Sequence, residues 1–227
     1  MSGPAIRVVN YHLTPARLAE VYDREFAHLA TRYAPVSEDD LAAYFATGHW
    51  PGKHPGVIPV FYNGYRNGYD VARPALDKHG LIGWFMAVTG FSSCPGPDQI
   101  DFAAAHGLAT EPDEYADGRI ALSWDELRAL DLRHVLASHT RHYNRASTLN
   151  AGQAEAIVLR AKQDFRRELG HPVRSFAWAH GGAYGETSQA DAAVDRAGHD
   201  FLFSNLRLQF LGGPGRLEPA RGLGQAP

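Results

Sequence analysis

Three short polar runs stand at the ends of strand-like stretches. Tyr62-Asn63 follows Val57–Phe61, His139-Thr140-Arg141-His142 follows His134–Ser138, and His180 closes Val173–Ala179. An imidazole near its ordinary pKa of about 6.5 can exchange protons at neutral pH or, when neutral, ligate a metal. A tyrosine hydroxyl and an asparagine amide can orient a polar substrate. An isolated histidine such as His28 or His171 is most simply a neutral ring bonded to backbone or solvent. His139 differs because it stands at a strand end within a polar cluster. His142, His180 and His12 are further candidates for the same pocket. Cys94, in the run Ser92-Ser93-Cys94-Pro95-Gly96, reads as a spare loop thiol, since nothing around it would lower its pKa.

Strand-like and helix-like stretches alternate along the chain, which points to an α/β fold with a mainly parallel sheet. Ile6–Tyr11, Val57–Phe61, Leu81–Val88, His134–Ser138, Val173–Ala179 and Asp200–Phe203 read as strands. Helical periodicity covers Leu18–Tyr33, Ala151–Leu169 and Gln189–Ala197. Ser37 is a plausible N-cap for a helix to Phe45, and Ser123 with Glu126 forms a capping-box pattern opening a helix to about Leu132. A further helix fits Tyr69–Lys78, closed by His79-Gly80. Residues 91–118, rich in Gly, Pro and Asp, are expected to form an inserted loop region. Such serial units build either a closed barrel or a doubly wound sheet, and in both the functional groups gather at the carboxyl ends of the strands. All three polar runs fall there.

The bulk properties narrow the function. Lys and Arg number 22 and Asp and Glu 25, a formal charge of −3, so no basic field exists to hold nucleic acid or an acidic membrane. No stretch approaches the length of a membrane span, and Met1–Arg7 lacks a basic start followed by an apolar run. A cytoplasmic location is the expectation. A hydrophobic content of 44% over 227 residues suits a globular chain that needs no crosslinks.

Three ordered segments give the chain a resemblance to a known family. Val60-Phe61-Tyr62-Asn63-Gly64 leads into a helix start at Ala72-Arg73-Pro74-Ala75-Leu76. Ala137-Ser138-His139-Thr140 follows Ser123–Leu130, and Arg174-Ser175-Phe176 precedes Ala177-Trp178-Ala179-His180-Gly181. In order and spacing they resemble the polysaccharide deacetylases (carbohydrate esterase family four) over about residues 6–205. The resemblance implies a distorted (β/α) barrel spanning residues 1–211, followed by a loose Gly/Pro-rich tail at 212–227. It also implies a chemistry in which a divalent metal such as zinc, held by one Asp and two His, polarises an acetamide while a second Asp acts as base.

Against that pattern the base Asp corresponds to Tyr62, a neutral group and poor base near pH 7. The metal Asp corresponds to Asn63, a weaker zinc ligand. His139 matches the first histidine. The second is expected four positions later, where Tyr143 stands, and His142 lies one residue short. His180 replaces the usual tyrosine of the third motif, and Arg174 corresponds to the arginine that orients the base.

The expected function is therefore hydrolysis of a non-peptide C–N bond, in a small amide or an N-acetylated saccharide, at an atypical site. Catalytic candidates are His139, His142, His180, Tyr62 and Arg174, and substrate-binding candidates are Asn63, Tyr143, Trp178 and His12. The cofactor is none or a divalent metal, and if a metal binds, His139 and His142 are its expected ligands. The alternative is an inactive barrel that binds a saccharide or a partner protein. An ordinary, efficient deacetylase is not expected.

Overall fold

A computed structural model describes residues 6–111, 113–205, 207–212 and 223–224. The strands are β1 (Ile6–Tyr11), β2 (Ala34–Pro35), β3 (Gly56–Phe61), β4 (Trp84–Ala87), β5 (Val135–Ser138), β6 (Ser175–Ala177), β7 (Phe201–Phe203), β8 (Arg207–Phe210) and β9 (Leu223–Gly224). The helices are α1 (Ala19–Arg32), α2 (Glu38–Thr47), α3 (Arg73–His79), α4 (Thr89–Ser92), α5 (Gln99–His106), α6 (Trp124–Asp131), α7 (Ala151–Leu169) and α8 (Ser188–Ala197).

One sheet runs β1-β3-β4-β5-β6-β7-β8-β9, with β2 alongside the start of β3. All pairs from β1 to β7 are parallel, whereas β7–β8 and β8–β9 are antiparallel. β9 comes near β1, so the sheet curls into a nearly closed barrel wrapped by helices. This is the expected (β/α) barrel. No helix among the described residues is long and apolar enough to cross a membrane.

The strands are apolar on both faces because both faces are covered. Val57, Phe61, Phe85 and Leu136 point outward and pack with Phe26, Leu76, Leu127 and Phe165 of the surrounding helices. Ile58, Val60, Trp84, Met86, Ala137, Ala177, Phe201 and Phe203 point inward and fill the barrel. The interior is thus a packed core, not a channel. Several helix ends follow from local chemistry. Ser37, Ser123 and Asn150 each cap a helix reciprocally with the third residue inside it. Gly80, Gly170 and Gly198 take left-handed conformations just past α3, α7 and α8, which removes the Cβ penalty there.

The structure departs from expectation in three places. Residues 91–118 contain α5 as well as loop; Phe91, Phe102, Ala103 and Leu108 of this segment pack in a small core with Tyr65, Val88, Ile120 and Ala121, so a Gly/Pro-rich composition hid a packed helix. The helix at 69–78 opens with a wide π turn over Gly68–Ala72 before α3. Past β7 the chain reverses into β8, and Leu223–Gly224, in the stretch expected to be loose, pairs with it. Residues 213–222 and 225–227 of that stretch lie outside the described residues.

Candidate functional site

Side chains along a strand alternate between two faces. In β1 the inward set includes Ile6 and Val8, and its next member beyond the strand is His12. In β3 the set Ile58, Val60 continues to Tyr62, and in β5 Val135, Ala137 continues to His139. Each of these three residues is thus the first past its strand and the next to face the barrel axis. The barrel lays them as a polar layer over the apolar core, at the carboxyl ends where such folds place their chemistry.

This layer lines a cavity of about 260 Å³, together with Tyr143, Trp178, His180, Gly181, Phe203, Ser204 and Asn205. The rings form a connected arc. His12 stacks on Tyr62 at 5.3 Å between centroids, Tyr62 lies 5.4 Å from His139, His139 5.5 Å from Tyr143, and Tyr143 5.0 Å from His180. His139 is buried, with 3% of its surface exposed. Its Nδ1 lies 2.9 Å from the carbonyl oxygen of Ala177. That acceptor fixes the tautomer: Nδ1 carries the hydrogen and Nε2 keeps a lone pair. Burial, with smaller contributions from His12 and His180, pushes its pKa down to about 4, so the ring is neutral at physiological pH. Burial also lowers His12, and burial followed by the Arg145 charge lowers His180.

The loops above the strands are sharply turned. Asn63, Thr140, Tyr143 and His180 all have positive φ, between 53° and 76°. This is costly for a residue with a Cβ, most of all for β-branched Thr140. Strain of this kind persists only where surrounding contacts over-determine it. Here the buried Asp164 of α7 accepts a hydrogen bond from Thr89 at 2.9 Å and pairs with Arg141 at 3.2 Å and Arg167 at 3.0 Å. Gly90 N–H donates to the Arg141 carbonyl at 2.9 Å, and Asn144 N–H donates to the Thr140 hydroxyl at 2.9 Å. Asn63 bonds Tyr65 at 3.3 Å and also reaches Tyr143.

The structure brings His12, Tyr62, His139, Tyr143, Trp178 and His180 together around this cavity. Asn63 is not among the lining residues but bonds Tyr143, which is. His142 and Arg174 do not join them. The turn from Thr140 to Tyr143 sends Tyr143, the residue four places after His139, into the cavity. It sends His142 outward, where the ring stacks with His106 at 5.8 Å and lies 6.3 Å from Phe102. His142 therefore cannot share a metal with His139 in this arrangement. Arg174 precedes β6 at the opposite end of the barrel, bonded to Asp200 at 2.5 Å and Asp39 at 2.8 Å, which is a structural role. Gly181, Phe203, Ser204 and Asn205 were not expected. Ser204-Asn205 is a polar pair directly after a strand, the same signal that marked Tyr62 and His139.

The donor set does not fit the metal that the resemblance implies. His139 can offer Nε2 alone, and Asn63 offers a buried, neutral Oδ1 that has no hydrogen-bond partner among the described residues. Zinc sites take three or four protein donors, commonly including a charged one. Among the described residues no group of three or more His, Cys, Asp or Glu side chains converges on one point.

No family model matches the sequence, and no curated protein matches it. Solved structures do. The deacetylase PplD of Streptococcus pyogenes, determined with acetate, superposes with a TM-score of 0.69 at 14% identity, covering 90% of this chain and 86% of that one. A de-N-acetylase from Aggregatibacter actinomycetemcomitans gives 0.68 at 17% identity over 91% of both chains. IcaB from Ammonifex degensii gives 0.64 at 20% identity, covering 89% and 84%. At these identities the likeness establishes the fold: this chain has the barrel of the polysaccharide deacetylases.

Proposed function

We propose that this deacetylase-like barrel is a hydrolase for a non-peptide C–N bond, taking the acyl group of a small amide or an N-acetylated saccharide into the His139 cavity and acting through neutral side chains. One observation carries the reading. His139 presents an unprotonated Nε2 to a cavity of about 260 Å³ and is held in that tautomer by the Ala177 carbonyl. In the reaction, water adds to the amide carbonyl as Nε2 accepts its proton. The resulting imidazolium returns that proton to the departing nitrogen, giving a carboxylic acid and an amine. Tyr62 and Tyr143, whose rings flank His139, are assigned as the hydroxyl donors to the developing oxyanion. A base with a pKa of about 4 is fully available at pH 7 but weak, so turnover is expected to be slow.

A second reading, recognition of an N-acetylated saccharide without turnover, is favoured by the absence of any carboxylate among the described residues that line this cavity. The buried rings of Trp178 and Phe203 form part of the cavity wall, and Tyr62 and Tyr143 add aromatic edges that can contact an apolar sugar surface.

The test is release of acetate from N-acetylglucosamine oligomers and ring opening of cyclic amides, with and without chelator, for the wild type and His139→Asn. Slow, chelator-insensitive release lost in the variant supports the hydrolase. Saturable binding with no product supports the second reading. Rapid, chelator-sensitive deacetylation, or stoichiometric zinc by elemental analysis that depends on His139, refutes the neutral-side-chain mechanism.

A further inference from the structure

A second hollow, a groove of about 660 Å³, adjoins the His139 cavity and shares His180, Gly181, Ser204 and Asn205 with it. The shared residues form a low ridge. Asn205 Nδ2 donates to the His180 carbonyl at 3.3 Å, and Asn205 packs so closely over Gly181, at φ +79°, that a Cβ there would overlap its side chain. The two hollows therefore suit one ligand with two parts. A compact acyl group enters the cavity, and a larger neighbouring unit lies across the ridge.

The charges of the two hollows differ. The inner cavity carries neutral groups. The groove is bordered by Arg145 and by Arg207, which is already partnered, and the one carboxylate among its described lining residues is Glu186, whose Oε2 accepts a hydrogen bond from the Ala183 N–H at 3.0 Å. Arg145 makes no ion pair among the described residues; Arg7, Arg32, Arg73, Arg160 and Arg166 share that state, but of these six only Arg145 borders the groove. Its charge also acts toward the ridge, since it depresses His180 and opposes the rise that burial causes in Tyr143. On a chain with a formal charge of −3, an uncompensated cation beside a groove of this size marks where a ligand anion would be held.

We infer that the groove selects an anionic neighbour for the acylated unit, so that the preferred ligand is an acidic N-acetylated saccharide whose carboxylate pairs with Arg145. This rests on the reading that the His139 cavity takes an N-acyl group, and it adds the charge and position of the adjoining residue. A guanidinium can meet a carboxylate through two parallel N–H bonds, a geometry that a lysine cannot reproduce.

The test uses a disaccharide of N-acetylhexosamine and uronic acid alongside its uronate methyl ester, which differ in charge and one methyl group. Binding is measured calorimetrically at low salt for the wild type, Arg145→Gln and Arg145→Lys. The expected result is that the acid binds about three- to tenfold more tightly than the ester, the range for a partly exposed charge-assisted contact. The preference should shrink as salt is added. It should disappear in Arg145→Gln and survive in part in Arg145→Lys, with both variants matching the wild type in circular dichroism and melting temperature. A second readout is the His180 imidazole resonance, whose pKa should rise when the acid binds, because the carboxylate offsets Arg145. Equal affinity for acid and ester in the wild type would overturn this inference and leave the cavity reading intact. An unchanged preference in Arg145→Gln would overturn it as well. If neither sugar binds, this inference falls together with the saccharide arm of the cavity reading, and the small-amide arm is decided by the cyclic-amide assay. If free acetate or inorganic phosphate raises the His180 pKa as much as the disaccharide acid at equal concentration, the groove is a general anion site and the saccharide assignment is wrong.

Discussion

The neutral state of His139 can be tested through the acid sensitivity of the fold. On unfolding, its pKa returns from about 4 to the ordinary value near 6.5. Between those values the unfolded chain binds a proton that the folded protein does not. Stability from this group is therefore complete above pH 6.5 and is lost as the pH falls toward 4. Lowering the pH from 7.5 to 5 should remove about 2 kcal/mol through His139 alone, by the same linkage. Buried His199, pushed down to about 3, and His134, pushed down to about 4, add losses of the same sign. The His139 share is isolated by comparison with His139→Asn, whose amide can still reach the Ala177 carbonyl but does not titrate. Urea unfolding at pH 7.5 and 5 should give a loss smaller by about 2 kcal/mol in the variant, or roughly 4–8 °C in melting temperature for a chain of this size. Equal pH dependence in the two proteins, or a His139 ring resonance titrating near 6.5, would refute a buried neutral imidazole. The proton-acceptor role built on it would fall at the same time.

Three further outcomes follow from the packing. Asp164→Ala strands the fully buried Thr89 hydroxyl and frees Arg141, so it should cost about 2–4 kcal/mol and loosen the Thr140–Tyr143 turn; both partner arginines are partly exposed and can be resolvated, which keeps the loss below that of a fully buried pair. A double-mutant cycle with Thr89→Val should show coupling above about 0.5 kcal/mol, and additive losses would mean that the two side chains do not support each other. Gly181→Ala places a Cβ at positive φ and drives Asn205 off the ridge, so it should cost about 1–2 kcal/mol in urea unfolding and weaken saccharide binding together. Ser123→Ala removes the reciprocal cap of α6 at a residue that lines neither hollow, and should lower stability by about 1 kcal/mol without altering ligand affinity.

The order of elements was legible in the sequence because its signals are local. The buried runs at β1, β3 and β5, the capping boxes at Ser37 and Ser123, and the glycines after α3, α7 and α8 act within a few residues of themselves. That Tyr62 and His139 stand at the carboxyl ends of strands was equally legible, although strands apolar on both faces leave their side of the sheet unmarked. Three matters needed the tertiary structure. Whether His142 or Tyr143 faces the cavity depends on positive φ values at Thr140 and Tyr143, which Asp164 stabilises from α7, a helix later in the chain. Whether Arg174 serves the site depends on which end of β6 it occupies relative to Asp39 and Asp200. The groove beside the cavity exists only because loops after β5, β6 and β7 meet over the barrel rim. Local propensity sets the alternation of side chains along a strand, but what each one meets is decided by distant segments whose approach leaves no periodic trace in the sequence.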